Sequence, residues 1–292
     1  MNVSNLLNVS STRQYWSKIP RYLSTSIAPW SRIILATSVT ALMGLGAYRW
    51  SQANQHANNI LPDEMFDEAK ERIKSTYAYV FGGFALTAAA AVISHVSGLS
   101  RKILTNNSYI LPIGLALVTC GSLIATLCVS KEDLKAKHIA WTIFNASMGL
   151  TLSPLGFLNK SILAQAAFIS LGVGGLLTLT AFLAPDRKFL EWEGPLMTYL
   201  TTLSIASFVA LFFPNSAFAY GVDRASLYGG LLIFSGLLMS STQRLMQEAE
   251  TEPEKSFDPI NSSMSIYLDS MNIFIRILRI LFENNKENEK VV

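Results

Sequence analysis

Long apolar runs without charge set the rhythm of this chain. No Asp, Glu, Lys or Arg occurs between Lys74 and Arg101, Lys102 and Lys131, His138 and Lys160, Lys160 and Asp186, Glu193 and Asp223, or Arg224 and Arg244. Each run is long enough to cross a bilayer, which takes about 20 mainly apolar residues in a helix. The pattern predicts crossings at 75–97, 109–129, 138–157, 161–184, 195–213 and 225–243, with short links that make neighbouring helices antiparallel. A shorter apolar run at 33–48, bounded by Arg32 and Arg49, adds a crossing ahead of these. The expected fold class is all-α, a polytopic membrane helix bundle with no soluble domain left over.

The last apolar segment has a different pattern. Its polar residues are Ser262, Ser265, Asp269, Asn272, Arg276 and Arg279, spaced alternately by three and four positions, which puts them on one face of a helix. Two readings follow: an amphipathic helix lying at the membrane surface, or a final crossing whose polar stripe faces the bundle interior. Surface helices are usually rich in Lys and Arg, whereas this stripe carries an acid and an amide at its centre, so the interior reading is favoured. Asp269 is then the one carboxylate well inside an apolar stretch. A charge at mid-membrane costs about 2.5–3.5 kcal/mol on insertion scales, so an ionisable group there is a functional-site candidate, able to exchange a proton or a cation. Arg276 lies seven residues away, about 10 Å along a straight helix and too far for direct pairing.

Composition sharpens the picture. Of the 292 residues 50% are hydrophobic and 15% charged, against about a quarter charged in soluble domains. Cys120 and Cys128 sit in one apolar run, with neither the spacing of a zinc module nor the number for a disulfide scaffold. The net charge of +3 comes from the N-terminal part, since Arg13, Lys18, Arg21, Arg32 and Arg49 precede every one of the 20 acids. Nucleic-acid binding therefore has no support. Residues 1–31, rich in Ser and Asn, basic and acid-free, read as a mitochondrial transit peptide. Arg21-Tyr22-Leu23-Ser24 is a candidate matrix-processing site cut between Leu23 and Ser24. Residues 51–74 are a polar connecting segment whose mixed charges suggest a solvated helical lead-in.

Small residues, Gly82, Gly83 and Ala88–Ala91 in one run and Gly172, Gly174 and Gly175 in another, suggest close helix packing in a bilayer. The second run is no nucleotide loop, since no strand precedes it. Pro112 and Pro154 are expected to kink their crossings. His56, His95 and His138 read as interfacial residues. No serine in a GxSxG setting accompanies them, so a membrane hydrolase is disfavoured and a non-enzymatic role is expected.

The stretch FDPINSSMSIYLDSMNIFIRI at 257–277 resembles the C-terminal signature of the transmembrane Bax-inhibitor-motif family, in its mitochondrial branch. ERIKSTYAYV at 71–80, KHIAW at 137–141, APDRKFL at 184–190 and LYGGLLIFS at 227–235 extend the likeness in order. The resemblance implies a seven-helix Bax-inhibitor-like membrane domain, here 75–282, with the last helix central, an extra N-terminal transmembrane helix at 32–50 and a polar tail at 283–292. It also implies calcium leak or calcium/proton exchange, with two aspartates on the last two helices sharing a proton. Asp269 matches the second aspartate. The first belongs to a Leu-Tyr-Asp-Thr-Gln motif, and Ser241 occupies its position within Leu238-Met239-Ser240-Ser241-Thr242-Gln243. A serine forms hydrogen bonds but carries no charge, so half of the implied pH sensor is missing.

The ion or proton pathway is thus expected at Asp269, Ser241, Asn272 and Arg276. The lipid bilayer, calcium ions, protons and inner-membrane proteins are the expected partners, and no cofactor is expected. The mitochondrial inner membrane is the expected location. The competing expectation is an inner-membrane scaffold for cristae organisation and for apoptosis or quality-control regulation, with transport degenerate.

Overall fold

A computed structural model describes residues 65–105, 110–253 and 256–291, and within them the chain is helical without strands. In chain order the helices are α1 (Met65–Val96), α2 (Leu99–Thr105), α3 (Ile110–Cys128), α4 (Leu134–Leu152), α5 (Lys160–Leu183), α6 (Glu193–Ala210), α7 (Ala217–Arg224), α8 (Gly230–Thr251) and α9 (Pro259–Val291). Short 3₁₀ segments follow α4 (Ser153–Phe157) and α5 (Pro185–Trp192), and a π turn, Ala225–Gly229, joins α7 to α8. The six segments expected as crossings between 75 and 243 fall on helices, namely α1, α3, α4 with its 3₁₀ extension, α5, α6 and the continuous α7–α8 helix. The seventh of the bundle is α9. The transit peptide, its Leu23/Ser24 site and the 32–50 segment lie outside the described residues.

Helix starts are marked by side chains that accept the otherwise unpartnered first amides. Asp133 accepts from Ala136 N in α4, Asn159 from Ser161 N in α5, and Ser216 from Ala219 N in α7. Asp258 accepts from Ile260 N and Asn261 N at the start of α9. Gly98, at φ 78°, turns the chain from α1 into α2 in the left-handed region that glycine enters without steric cost. The two prolines act differently from expectation. Pro112 sits in the first turn of α3, where its missing amide has no intrahelical partner to lose. Pro154 lies in the 3₁₀ segment that terminates α4.

The bundle is organised around α9, which packs against α1, α5, α8 and the π turn. From residue 257 to 283 none of its side chains is exposed. This decides between the two readings of the polar stripe, because a surface helix leaves one face open. α1 in turn packs on α4 through a cluster of Phe84, Phe144 and Tyr267, whose ring centroids lie 5.1 and 5.7 Å from Tyr267. The Tyr267 and Thr87 hydroxyls are hydrogen-bonded at 2.6 Å. Large apolar side chains such as Phe168, Leu171, Leu176, Phe208 and Phe212 point outward, as suits a protein solvated by lipid. By length and apolarity alone α1 from Glu68, α5, and Ala217–Thr251 are long enough to span. Enclosure by neighbours removes that demand from α9, where buried polar groups are satisfied inside the protein.

Charges collect in two layers. At one end Arg72 donates to Ala249 O and Glu252 O, Lys131 donates to Phe257 O, and Lys137–Asp258, Arg187–Glu250 and Arg244–Glu193 form ion pairs. Arg72 therefore turns inward from a lead-in otherwise solvated at Lys70, Glu71 and Lys74, and the lead-in from Met65 is continuous with α1. At the other end Arg279 holds Asp223 and Glu283, and Arg224 holds Glu283. Along α9 the layers at Asp258 and Arg279 stand about 31 Å apart at 1.5 Å per residue, close to the ~30 Å of a hydrocarbon core.

Small residues close one contact and leave another open. A Cβ on Gly149 of α4 would lie 2.4 Å from Thr87 O and 2.6 Å from Ala90 Cβ, and one on Gly83 would lie 2.8 Å from Asn145 Oδ1. The expectation for Gly172 and Gly175 is corrected, since a Cβ there meets nothing within 4 Å. Gly149→Val should therefore destabilise the protein by about 1–3 kcal/mol through overpacking. Gly172→Ala should be neutral or stabilising by up to about 1 kcal/mol through helix propensity. Unfolding in detergent checks both, and equal effects would contradict the α1–α4 contact.

Candidate functional site

The polar stripe of α9 lies against α8 and the π turn in a regular register. Ser262 Oγ donates to Glu248 Oε2 at 2.7 Å, Ser241 Oγ donates to Asp269 Oδ2 at 2.7 Å, and the Arg276 guanidinium lies 4.4 Å above the Phe234 ring. The partners step by seven along both helices, 248, 241 and 234 against 262, 269 and 276. Two antiparallel helices meeting at every second turn form such a seam. Beyond it Arg279 makes paired hydrogen bonds to Asp223 at 3.0 and 2.5 Å. All four candidate pathway residues, Ser241, Asp269, Asn272 and Arg276, thus lie along one interface.

Asp269 is 2% exposed and stands about 16 Å from Asp258 and about 15 Å from Arg279 along the axis. It occupies the middle of the span. A hydrogen bond to a charged group contributes about 1.5–3 kcal/mol, which offsets most of the about 2.5–3.5 kcal/mol cost of a charge at that depth. Ser241 supplies this donor from α8. It stabilises the carboxylate without offering a second group that titrates.

Arg276, 3% exposed, is held by neutral acceptors. Its Nη1 donates to Asn272 O at 3.1 Å and to Asn272 Oδ1 at 3.0 Å, while Nε donates to Ser226 O at 3.2 Å. The amide of Asn272 is itself fixed by donating to Leu268 O at 2.9 Å. The π turn explains why Ser226 O is available. Gly230 N–H donates to Ala225 O and Leu227 O, so the Ser226 carbonyl is passed over by the amide that a regular α-helix would bring to it. Gly230 is required for a second reason: a Cβ there would lie 2.3 Å from Arg276 Nε.

Sequence reasoning missed Glu248, Phe234, Gly230 and the Ser226 carbonyl. The seven-residue spacing from Ser241 would have found Glu248 and Phe234, whereas a shifted backbone hydrogen bond leaves no mark in composition. Among the described residues no group of three His, Cys, Asp or Glu is placed to hold a metal ion. The seam offers single carboxylates with hydroxyl partners, chemistry suited to transient binding of a proton or cation. His138 accepts or donates a hydrogen bond with Tyr79 OH at 2.9 Å, and His95 stacks edge-on against Phe157.

Ser241→Ala should cost about 1.5–3 kcal/mol in the wild-type background and distinctly less in an Asp269→Asn background, where the acceptor is neutral. Denaturant unfolding of the four proteins in detergent measures the difference. Equal costs would separate the two residues energetically.

Comparison with known proteins places this geometry in a family. Residues 69–287 match the family model described as inhibitor of apoptosis-promoting Bax1. The chain is 33% identical over 219 residues to growth hormone-inducible transmembrane protein of Rattus norvegicus, covering 73% of this chain and 63% of that protein. It is 34% identical over 155 residues to Bax inhibitor 1 of Schizosaccharomyces pombe, covering 52% and 54%. An uncharacterised protein of Deinococcus radiodurans is 29% identical over 225 residues, 73% of this chain and 91% of that one. The chain thus spans less than two thirds of the rat and fission-yeast relatives. With the matched region running from the start of α1 into the end of α9, the protein belongs to the Bax inhibitor family of helical membrane proteins.

Proposed function

We propose that this protein handles ions in the mitochondrial inner membrane, moving calcium by leak or by exchange against protons along the α8–α9 seam, with Asp269 as the intramembrane cation or proton site. The observation that carries this reading is the Ser241–Asp269 hydrogen bond at 2.7 Å, which holds a carboxylate at mid-span inside an enclosed helix. Ser241 and Asn272 are its neutral neighbours and Arg276 the counter-charged one. The basic, acid-free leader supports import into mitochondria. The bilayer, calcium and protons are then the partners, and the protein acts without enzymatic chemistry.

Reconstituted into liposomes, the protein should carry calcium flux that falls at least about tenfold in Asp269→Asn. Equal flux from both would remove the assignment. Ser241→Asp creates two carboxylates that interact across the seam, and a coupled pair titrates in two steps where an isolated group gives one. Its flux should depend more strongly on pH than that of Ser241→Asn, and identical profiles would show that the two positions do not sense pH together.

A second reading is supported by Ser241 itself. A serine in place of the family's aspartate favours a scaffold for cristae organisation and for apoptosis or quality-control regulation through inner-membrane partners. Under that reading Asp269→Asn rescues a deletion fully, and normal membrane morphology after deletion counts against it. Both readings share the leader. Terminal sequencing of protein from purified mitochondria should find a start between Ser24 and Arg32, and a start at Met1 or Asn2 would contradict import with processing.

A further inference from the structure

We infer that Glu248 is the outer carboxylate of the seam, receiving a calcium ion or its exchanging proton from the end of the bundle where α9 begins and passing it to Asp269. The inference rests on the transport reading above and adds a residue and a direction to it. Glu248 lies on the same face of α8 as Ser241, seven residues further on, or about 10 Å along the axis. It accepts from Ser262 as Asp269 accepts from Ser241, at the same 2.7 Å. The two carboxylates thus repeat one motif, an acid on one helix and a serine on the other, with the roles of the helices exchanged. The buried Ser265 lies between Ser262 and Asp269 on the α9 stripe.

The bases gathered at this end are committed elsewhere. On α1, Arg72 serves Ala249 O, Glu252 O and Glu68. On α4, Lys137 pairs with Asp258 and donates to Val129 O. On α8, Arg244 pairs with Glu193, and Arg187 beyond α5 pairs with Glu250. Glu248 is half-buried, so it reaches the outer aqueous layer while its hydroxyl partner belongs to the seam. Along the seam the order of charge is acid, acid, base: Glu248, Asp269, Arg276. A cation is attracted by the first two and repelled by the third, so loading runs from the Glu248 end, with Arg276 as the barrier beyond Asp269.

A structural role is the alternative, because Glu248, although in the last turn of α8, lies through Ser262 beside the first turns of α9, where an acid stabilises that helix dipole. The two are separated by calcium flux into liposomes over a range of calcium concentrations. Glu248→Gln keeps an oxygen that accepts from Ser262 and should raise the half-saturating calcium concentration at least about fivefold. Glu250→Gln, which removes an acid of the same end from outside the seam, should leave it within twofold. Unchanged half-saturation in Glu248→Gln, with wild-type flux intact and sensitive to Asp269→Asn, would overturn this inference and leave the transport reading standing. Absence of wild-type flux would overturn both. A measurement on the wild-type protein guards against misfolded variants: calcium should slow carbodiimide modification of Glu248, followed by mass spectrometry, and an unaffected rate would also overturn the inference.

Discussion

A helix that is polar along one stripe and enclosed on every side must find partners for all its polar groups inside the protein. That constraint governs α9, and through α9 the rest of the bundle. Hydrocarbon offers no hydrogen bonds, so four polar residues of the stripe fix something on a neighbouring element, while Asn272 is held within α9 by Leu268 O and Arg276. Asp269 fixes a hydroxyl on α8, Ser262 an acid two turns further along, Arg276 a carbonyl and an aromatic face, and Arg279 an aspartate at the membrane edge. The neighbours that close the remaining sides, α1 and α5, are correspondingly apolar towards lipid.

Arg276 illustrates how far backbone geometry is bent to meet this demand. A guanidinium remains charged under all ordinary conditions, and a buried cation needs acceptors. Here the acceptors come from a π turn, a side-chain amide and a ring face, with a glycine clearing the approach. π turns of this kind recur at functional sites because they release a carbonyl without breaking the helix. The result is a positive charge fixed between the mid-span carboxylate and one membrane edge.

Much of this was legible in the sequence because it follows from period and charge. The charge-free runs delimit the crossings, and the alternation of three and four from Ser262 to Arg279 marks a single helical face. The acid at the centre of that face pointed inward. Ser241 was legible only through its place in a family motif, since one serine among Ser240, Ser241 and Thr242 carries no signal of its own. What escaped depends on the neighbour across the gap. Gly149 and Gly172 are the same residue in similar apolar helices, yet one meets a backbone carbonyl and the other open space. Pro112 and Pro154 likewise read alike, although one begins a helix and the other ends one.

The seven-residue register of the seam also limits how the protein can move. If α9 slid by one step towards its own N-terminus or C-terminus, Asp269 would come opposite either Glu248 or Phe234, an acid against an acid or against a ring face, and Arg276 would leave its cradle. Each polar partnership would break in the same displacement. A piston-like stroke of the central helix is therefore opposed at every rung, and rotation about its own axis would turn the same face away from α8, which leaves bending of α8 at the π turn as the compliant coordinate.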